Sequence, residues 1–254
     1  MDNNTYKQIS SYNEYPVWDI STRIFHWLNV TLIILLMALG IVIINIKTLG
    51  IPAEGKILLK SVHTYVGYLF LLNLLWRIIC GFIGNHYARW KTLFSFRNNF
   101  LQELVNYLKG LAKGNPVHYL GHNPAARLMI ITLYALLLVQ ATTGLILAGT
   151  DLYLPPFGHE IKEYVSGTGE DHSKLAGIKP GSTEGLDETA YKNMRAFRGN
   201  VAEMHETLFY LLIAAIILHL AGVIYTEIKE KNAIVSAMIT GKKYFKSPPH
   251  DVEK

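Results

Sequence analysis

Long apolar blocks alternate with polar, charged segments along this chain of 254 residues. Four of the blocks are long enough to cross the hydrocarbon core of a membrane, which takes about 20 residues as a helix. We place these spans near Ile24–Ile46, Ile57–Ile83, Ala126–Gly149 and Met204–Thr226. The pattern predicts an all-α integral membrane protein, in which four transmembrane helices form one bundle and one domain over residues 1–254.

The distribution of charge predicts an orientation in the membrane. Residues 84–127 carry six Lys or Arg and one acidic residue, Glu103, and the segment after Thr226 is also basic. Because cytoplasmic loops are enriched in Lys and Arg, we expect this connection and both termini to be cytoplasmic. The formal charge of +5 is therefore explained by the membrane, and we expect no nucleic-acid partner. We also expect no signal peptide, since some 20 polar residues precede a first block that is too long for one.

The connection of residues 151–203 differs from the others in length and composition. It holds about 50 residues, is rich in Gly and Pro, and has nine acidic against six basic residues. Loops of this length are usually functional or disordered. We expect it to be a periplasmic insertion between the third and fourth helices.

Four histidines lie within the apolar spans, where an ionisable side chain is costly and needs a reason. They are His26, His63, His205 and His219. His205 and His219 are 14 residues apart, which is about 21 Å and close to four whole turns of one helix, so both project from the same face. With the N-terminus inside, His63 matches the depth of His205, and His26 matches the depth of His219.

Two depth-matched pairs of imidazoles are typical of bis-histidine haem iron, which suits electron transfer and leaves no position for oxygen. A single membrane histidine more often only hydrogen-bonds to a neighbouring helix. The pairing of all four favours haem ligation. Cys80 is the sole cysteine and the sequence has no C-x-x-C-H motif, so covalent c-type haem attachment is excluded.

Two glycines lie on the same helical faces as the histidines. Gly67 follows His63 by four residues, and Gly222 follows His219 by three. A missing side chain there lets a flat macrocycle approach the backbone. The alternative interpretation is ordinary close packing between membrane helices, which also favours small residues.

Basic residues near the span ends also have two interpretations. Arg77 either meets a haem propionate or a quinone oxygen, or extends to the lipid headgroups. The same alternatives hold for Arg23, next to His26. For Lys56 and Lys60, contact with propionates of the outer haem is possible, but a solvated surface charge is the favoured interpretation.

Several motifs in this order resemble the bacterial di-haem cytochromes b, a family that includes the membrane subunits of nickel–iron hydrogenases. Asp19–Trp27 resembles the R-x-x-H-W opening of the first span, and His63–Gly67 with Arg77–Asn85 resembles the second span. Gly121–Pro124 matches the G-H-N-P opening of the third span, and Val235–Gly241 matches the closing S-x-M-x-x-G element. The resemblance covers nearly the whole chain, and residues 151–203 are longer than the basic family module.

The resemblance implies a four-helix bundle with His26, His63, His205 and His219 as axial ligands of two b-type haems. We therefore predict an electron-transfer subunit of a bacterial inner membrane, with no catalytic residues of its own. Electrons would pass between a periplasmic redox partner, either a hydrogenase-like enzyme or a c-type cytochrome, and the quinone pool. Quinone is predicted close to Arg77, His118 or His122.

Three other functions remain open at this stage. A stand-alone haem oxidoreductase would act on a small species such as superoxide together with quinone, and basic residues near the outer haem would attract an anion. A transporter or proton relay would use His63, His205 and Arg77 without haem. A pure membrane anchor would need the histidines only for packing. The last two predict a colourless protein.

Overall fold

The computed structural model describes residues 12–95, 99–167 and 172–252, and these are mostly helical. Two short 3-10 segments, His86–Ala88 and His172–Gly177, lie between the main elements. In chain order the main elements are β1 (Asn13–Pro16), α1 (Ile20–Ile44), α2 (Ala53–Ile83), α3 (Trp90–Leu93), α4 (Phe100–Ala112), α5 (Pro124–Leu152), α6 (Gly158–Ser166), α7 (Glu188–Glu230), α8 (Ile234–Thr240) and β2 (Lys242–Phe245).

Four helices, α1, α2, α5 and α7, are long and apolar enough to cross a membrane. Large apolar side chains on them point outward, and Phe82 and Ile83 on α2 are exposed over 70% and 73% of their surface. Such exposure is costly in water and favourable in lipid. The prediction of four membrane-spanning helices is therefore confirmed.

At three of these four helices, the side chain of the residue just before the helix accepts a hydrogen bond from a backbone N–H group of the first turn. Asp19 accepts a hydrogen bond from the Thr22 amide at 2.7 Å at the start of α1. Asn123 accepts one from the Ala126 amide at 2.8 Å, with Pro124 as the first residue of α5. Asn and Asp are preferred at this position because they satisfy backbone N–H groups that have no partner in the helix.

Helix α7 begins at Glu188, well before the span near Met204–Thr226 that apolarity indicates. Asp187 starts it by accepting a hydrogen bond from the Ala190 amide at 2.7 Å. Met194 and Val201, seven residues apart on one face, are buried, whereas the rest of this first part is mixed in polarity and Phe197 is exposed. The end of the 151–203 connection is thus a continuation of the fourth helix, which a search for apolar runs cannot detect.

The chain divides into two compact units, and each of the four long helices contributes to both. Unit 1 contains the residues up to Leu28, Leu74–Leu133 and Ala215–Lys254, and unit 2 contains Asn29–Asn73 and Tyr134–Ala214. The organisation of residues 1–254 as a single domain, with 151–203 as an insertion, stays a prediction.

In unit 1, the first and last described elements pair with each other. β1 runs antiparallel to β2, with Asn13 opposite Phe245 and Pro16 opposite Lys242. The next two residues, Val17 and Trp18, are buried and donate their backbone N–H groups to the Gly241 carbonyl. Gly241 ends α8 with a positive φ of 82°, and an added Cβ there would lie 2.5 Å from the Trp18 carbonyl oxygen. Glycine is required at this position.

Unit 2 contains the part of the chain between α5 and α7. α6 ends at Ser166 and Gly167 follows with a positive φ of 61°. The Asp187 amide then donates to the Val165 carbonyl at 2.8 Å, and the Val165 side chain is fully buried. The hydroxyl of Tyr68 on α2 donates to the Pro155 carbonyl. These contacts fix the connection against the helices of unit 2.

Candidate functional site

In unit 2, the structure brings together His63 of α2 and His205 of α7. Their ring centroids are 6.4 Å apart and the ring planes are 75° from parallel. Two imidazoles on opposite sides of one metal ion, with bonds of about 2 Å each, have centroids separated by about 6 Å. The observed spacing therefore fits a single iron between the two rings.

A cavity of about 540 Å³ surrounds these two rings. This volume is in the range of cofactor-binding pockets. Its walls are largely apolar, with side chains such as Leu36, Phe70 and Leu137, and Gly67 also lines it. Nothing in the structure lies within 4 Å of a Cβ added at Gly67. The cavity has the size and polarity that a flat, mostly apolar macrocycle needs.

Two further glycines lie against the histidine rings. A Cβ added at Gly40 of α1 would be 3.8 Å from Cε1 of His63, and one at Gly144 of α5 would be 3.4 Å from Cε1 of His205. Both glycines line the cavity. All four long helices therefore contribute to this site, two with imidazoles and two with a bare backbone beside them.

Hydrogen bonds fix the orientation of His205. The Thr143 hydroxyl lies 2.8 Å from Nδ1 of His205 and also 3.0 Å from the Val139 carbonyl, to which it donates. Nδ1–H of His205 is then the donor to Thr143, which leaves the lone pair on Nε2. The amide of Gln140 lies 3.1 Å from that Nε2. Within the part of the chain that the structure describes, the buried Nδ1 of the partner ring, His63, has no hydrogen bond. The lone pair of His205 is thus on Nε2, and a metal bound there would take the place of the Gln140 amide, so the role of His205 as a ligand stays a prediction.

Charged side chains meet in unit 2 around Asp151, near the end of α5. Arg198 of α7 donates to both oxygens of Asp151, from Nε and Nη2 at 2.8 Å each. Lys60 of α2 also forms an ion pair with this carboxylate, and Arg195 lies 3.4 Å from it. Only 8% of the Asp151 side-chain surface is exposed. Burial of this carboxylate is tolerated because three cations surround it.

Unit 1 contains the other two membrane histidines. His26 of α1 and His219 of α7 both belong to this unit. Among the described residues, the buried Nδ1 of His26 has no hydrogen-bond partner, and its ring lies at a right angle to that of Trp27, with centroids 5.3 Å apart. The predicted pairing of His26 with His219 and of His63 with His205 thus coincides with the division into units. Their role as ligands stays a prediction.

Arg23 and Arg77 are both held by backbone carbonyls in unit 1. Arg23 donates to the Ile239 carbonyl of α8 and, from Nε at 3.3 Å, to the Asp19 carbonyl. Arg77 is 5% exposed, donates to the Ala88 carbonyl at 2.8 Å and lies 4.8 Å from the centre of a Trp90 ring. Contact of either side chain with a cofactor stays a prediction.

The two histidines predicted near a quinone lie in polar surroundings of unit 1. His118 Nδ1 is 3.4 Å from Glu230, a buried carboxylate that also accepts from Tyr107 and from the Asn232 amide, both at 2.7 Å. Burial raises the pKa of the Tyr107 hydroxyl far above its usual range, and the charge of Glu230 adds to this.

His122 stacks on Trp18, with ring centroids 4.7 Å apart. Its Nδ1 is buried and has no hydrogen-bond partner within residues 12–95, 99–167 and 172–252. Burial, assisted by the charges of Lys243, Arg77 and Arg127, lowers the pKa of His122 to about 3. The ring is therefore neutral at physiological pH.

Sequence reasoning missed Gly40, Gly144 and the Thr143 hydroxyl. A spacing signal exists for the first: Gly40 follows His26 by 14 residues, as His219 follows His205, and Arg77 follows His63 by the same number. Fourteen residues return a helix to the same face. Thr143 carries no such signal, because its hydroxyl is paired with a residue on another helix.

A comparison with protein families matches residues 17–241 of the chain to the prokaryotic cytochrome b561 family. The match covers both units and contains all four membrane histidines.

Individual relatives of the chain are also named as b-type cytochromes. The chain is 25% identical over 243 residues to the probable Ni/Fe-hydrogenase B-type cytochrome subunit of Cupriavidus necator, covering 91% of this chain and 87% of the relative. It is 24% identical to the proteins of that name from Bradyrhizobium diazoefficiens, over 91% and 86% of the two chains, and from Azotobacter vinelandii, over 92% and 90%. No solved structure matches the chain significantly.

Proposed function

The chain belongs to the prokaryotic cytochrome b561 family, and on that basis we propose that it passes electrons between a periplasmic redox partner and membrane quinone through two b-type haems. Its general role, electron transfer by b-type haem in a multi-pass membrane protein, follows from the family and from the four spans. We propose, beyond this role, the number of haems, the identity of the redox partner and the use of quinone.

The arrangement of His63 and His205 is the observation that carries the proposal. Their ring centroids are 6.4 Å apart, and both rings line a largely apolar cavity. His63 and His205 would hold a haem iron from two helices, and a haem held by two imidazoles would exchange electrons without binding oxygen. When bound, haem supplies one-electron chemistry. The protein's residues orient the ring nitrogens and keep water away.

We assign the second haem to His26 and His219 in unit 1. The two histidines of α7 supply one ligand to each site, since His205 lies in unit 2 and His219 in unit 1. Quinone is proposed to bind in unit 1, close to His122, Arg77 or His118. His122 offers a neutral ring there, and Arg77 and Lys243 provide positive charge near it.

The first experiment is a reduced-minus-oxidised spectrum of the detergent-purified protein, with pyridine haemochrome quantification. We expect two b haems per chain. His205→Ala and His219→Ala should each retain one, while His159→Ala, which replaces a side chain 65% exposed on α6, should retain two. A protein without haem, expressed with adequate haem supply, would overturn the proposal in favour of a transporter or an anchor.

The partner is tested by the reductant that the haems accept. The relatives are named as hydrogenase subunits, and we propose a hydrogenase-like partner for this chain. In native membranes, H₂ should then reduce the b haems, and addition of a quinone analogue should reoxidise them. If only a reduced c-type cytochrome reduces the haems, the partner is of that class instead.

A second candidate function is a stand-alone oxidoreductase that acts on superoxide. It is supported by the basic residues Lys47 and Lys56, which are exposed and line the cavity of unit 2. Positive charge at a cavity raises the local concentration of an anionic substrate. Superoxide-dependent reduction of quinone by the purified chain alone would favour this candidate. No reduction without a partner would support the electron-transfer subunit.

A further inference from the structure

The cavity of unit 2 is not uniformly apolar, because charged side chains line part of it. Four of these are cations and two are carboxylates: Lys47, Lys56, Lys60, Arg198, Asp151 and Glu206. Cations are therefore in excess beside a cavity whose other walls are largely hydrocarbon. Excess positive charge next to an apolar surface favours an amphipathic ligand that carries negative groups.

The charged residues lie at a common sequence spacing from the histidines and glycines that line the cavity. Lys56 precedes His63 by seven residues, and Arg198 precedes His205 by seven. Seven residues are about two turns and about 10 Å of helix, so each cation lies on the same face as its histidine. In both α2 and α7 a cation thus lies at the same distance from the imidazole, toward the N-terminus of the helix.

The same spacing of seven residues recurs with the two glycines of α1 and α5, but here the charged residue follows the glycine in the sequence. Asp151 follows Gly144 of α5 by seven residues, and Lys47 follows Gly40 by seven, in the turn after α1. Asp151 bonds to Lys60 and Arg198, so the end of α5 meets the first turns of α2 and the first part of α7. Helices α2, α5 and α7 therefore bring charged residues to the same end of the cavity, and Lys47, in the turn after α1, also lines it.

Asp151 orients the side chain of Arg198 but does not neutralise the positive charge at this end of the cavity. It engages Arg198 through both carboxylate oxygens, which fixes the plane of the guanidinium group. The remaining N–H groups of Arg198 stay available to a second anion, since a guanidinium carries five donors. A single buried carboxylate with three cations around it leaves the cluster positively charged.

We propose that Lys47, Lys56 and Arg198 bind the two propionate carboxylates of the haem in unit 2, with Asp151 as a positioning residue for Arg198. This inference rests on the proposed function, since it requires haem between His63 and His205. It assigns a direction to the macrocycle, whose carboxylate edge faces the end of α5. Paired carboxylates need partners in a site of low dielectric constant, and cations in fixed register supply them.

The test compares Lys56→Gln and Arg198→Gln with Arg195→Gln in the purified, haem-containing protein. Arg195 is a matched control, because it lies on the same helix and near the same carboxylate but does not line the cavity. Haem content and midpoint potentials are measured by haemochrome assay and by potentiometric titration. The titration component that disappears in His205→Ala identifies the haem of unit 2.

We expect Lys56→Gln and Arg198→Gln each to lower the midpoint potential of this haem, and the double variant to lower it further. A nearby cation stabilises the reduced iron, which carries one positive charge less. Arg195→Gln removes a charge from the same cluster but no side chain from the cavity lining, so it should lower the potential less than Arg198→Gln does. If Arg198→Gln fails to fold because Asp151 loses its main partner, Lys56→Gln carries the test, since Lys56 is exposed.

Two other outcomes would overturn the inference alone, and one would overturn it together with the proposed function. Potentials in Lys56→Gln and Arg198→Gln equal to that of the wild type would overturn the inference and leave the proposed function standing. Wild-type protein without haem would overturn both. An anionic lipid headgroup offers the same chemistry as a propionate. If added phosphatidylglycerol shifts the potential in the wild type but not in the variants, the cations bind lipid and the inference is wrong.

Discussion

The hydroxyl of Thr143 on α5 lies 2.8 Å from Nδ1 of His205 on α7. Thr143 is 1% exposed, and its hydroxyl also lies 3.0 Å from the carbonyls of Val139 and Gln140. Since the hydroxyl donates to its own helix, it can only accept from the imidazole. One buried threonine thereby holds Nδ1 of His205, so that Nε2, now 3.1 Å from the Gln140 amide, is the nitrogen that a metal would bind.

Replacing this hydroxyl should weaken haem binding in unit 2. Thr143→Val keeps the shape of the side chain but removes the acceptor, so the imidazole loses its fixed orientation. Loss of such an outer partner typically costs about 10-fold or more in metal affinity. We expect faster haem loss from this site, measured by transfer to an apo-haem scavenger. Thr143→Ser retains the hydroxyl and should behave like the wild type; an equal rate in Thr143→Val would contradict the assigned role.

A side chain at Gly144 should exclude haem from the same site. A Cβ there would already lie 3.4 Å from His205, so the further atoms of Gly144→Leu would meet the ring. We expect haem per chain to fall from two to one by haemochrome assay. Gly199→Leu on α7 is the control, since an added Cβ there has open space. It should be neutral or stabilising by up to about 1 kcal/mol, because Gly is a poor helix former.

The sequence alone was sufficient for the four long helices and for the faces of the histidines. Both depend on local information, namely runs of apolar residues and the 3.6-residue helical period. The first part of α7 was not predictable in this way, because Glu188–Glu203 has no long apolar run. Its helix is fixed by the Asp187 cap and by burial of Met194 and Val201.

Contacts between helices were the other part that sequence could not give. The pairing of Asp151 with Arg198 joins residues 47 positions apart, and that of Thr143 with His205 joins residues 62 apart. Neither partner identifies the other in a single sequence. For Arg23, a position next to His26 suggested contact with the cofactor, which stays a prediction, and the bonds to the Asp19 and Ile239 carbonyls could not be seen in the sequence.

Removing the hydroxyl of Tyr107 should destabilise unit 1. This hydroxyl donates to Glu230 at 2.7 Å and accepts from the Asn123 amide at 2.8 Å. A buried hydrogen bond to a charged group is worth about 2 kcal/mol. We expect Tyr107→Phe to reduce the free energy of unfolding by about that amount in a thermal or detergent titration. Tyr210→Phe, at a side chain 54% exposed, should change it little, and equal effects would argue against the Glu230 cluster.

Acid should destabilise the protein through His122. The folded-state pKa of His122 is lowered to about 3, whereas an unfolded histidine titrates near 6.5. Between these values the unfolded chain binds more protons, so stability falls as pH decreases from about 6.5 toward 3. From pH 7 to pH 5 this group should cost about 2 kcal/mol.

Unfolding curves at the two pH values check this effect of His122. His122→Gln should lose less stability than the wild type, and His159→Gln, exposed on α6, should lose as much as the wild type. Equal losses in His122→Gln and in the wild type would show that the ring takes up its proton in the folded state.

The orientation of the chain is testable with single cysteines. In a Cys80→Ser background, Glu184→Cys places a thiol between α6 and α7, and Lys246→Cys places one just after β2. Because basic segments stay in the cytoplasm, a membrane-impermeant maleimide should label intact cells only at position 184. Position 246 should react only after the membrane is opened. Labelling in the reverse pattern would show that both termini are periplasmic.

The pairing of β1 with β2 has a consequence for biosynthesis. Residues 13–16 leave the ribosome early, yet their partner strand, residues 242–245, is translated only after all four membrane helices. Unit 1 draws on three separate stretches of the chain, so it can close only at the end of translation. During that interval the first helix is in the membrane with its N-terminal strand unpaired. Membrane insertion and closure of unit 1 are therefore separate steps in time, and any cofactor that requires a closed unit 1 can be held only after synthesis is nearly finished.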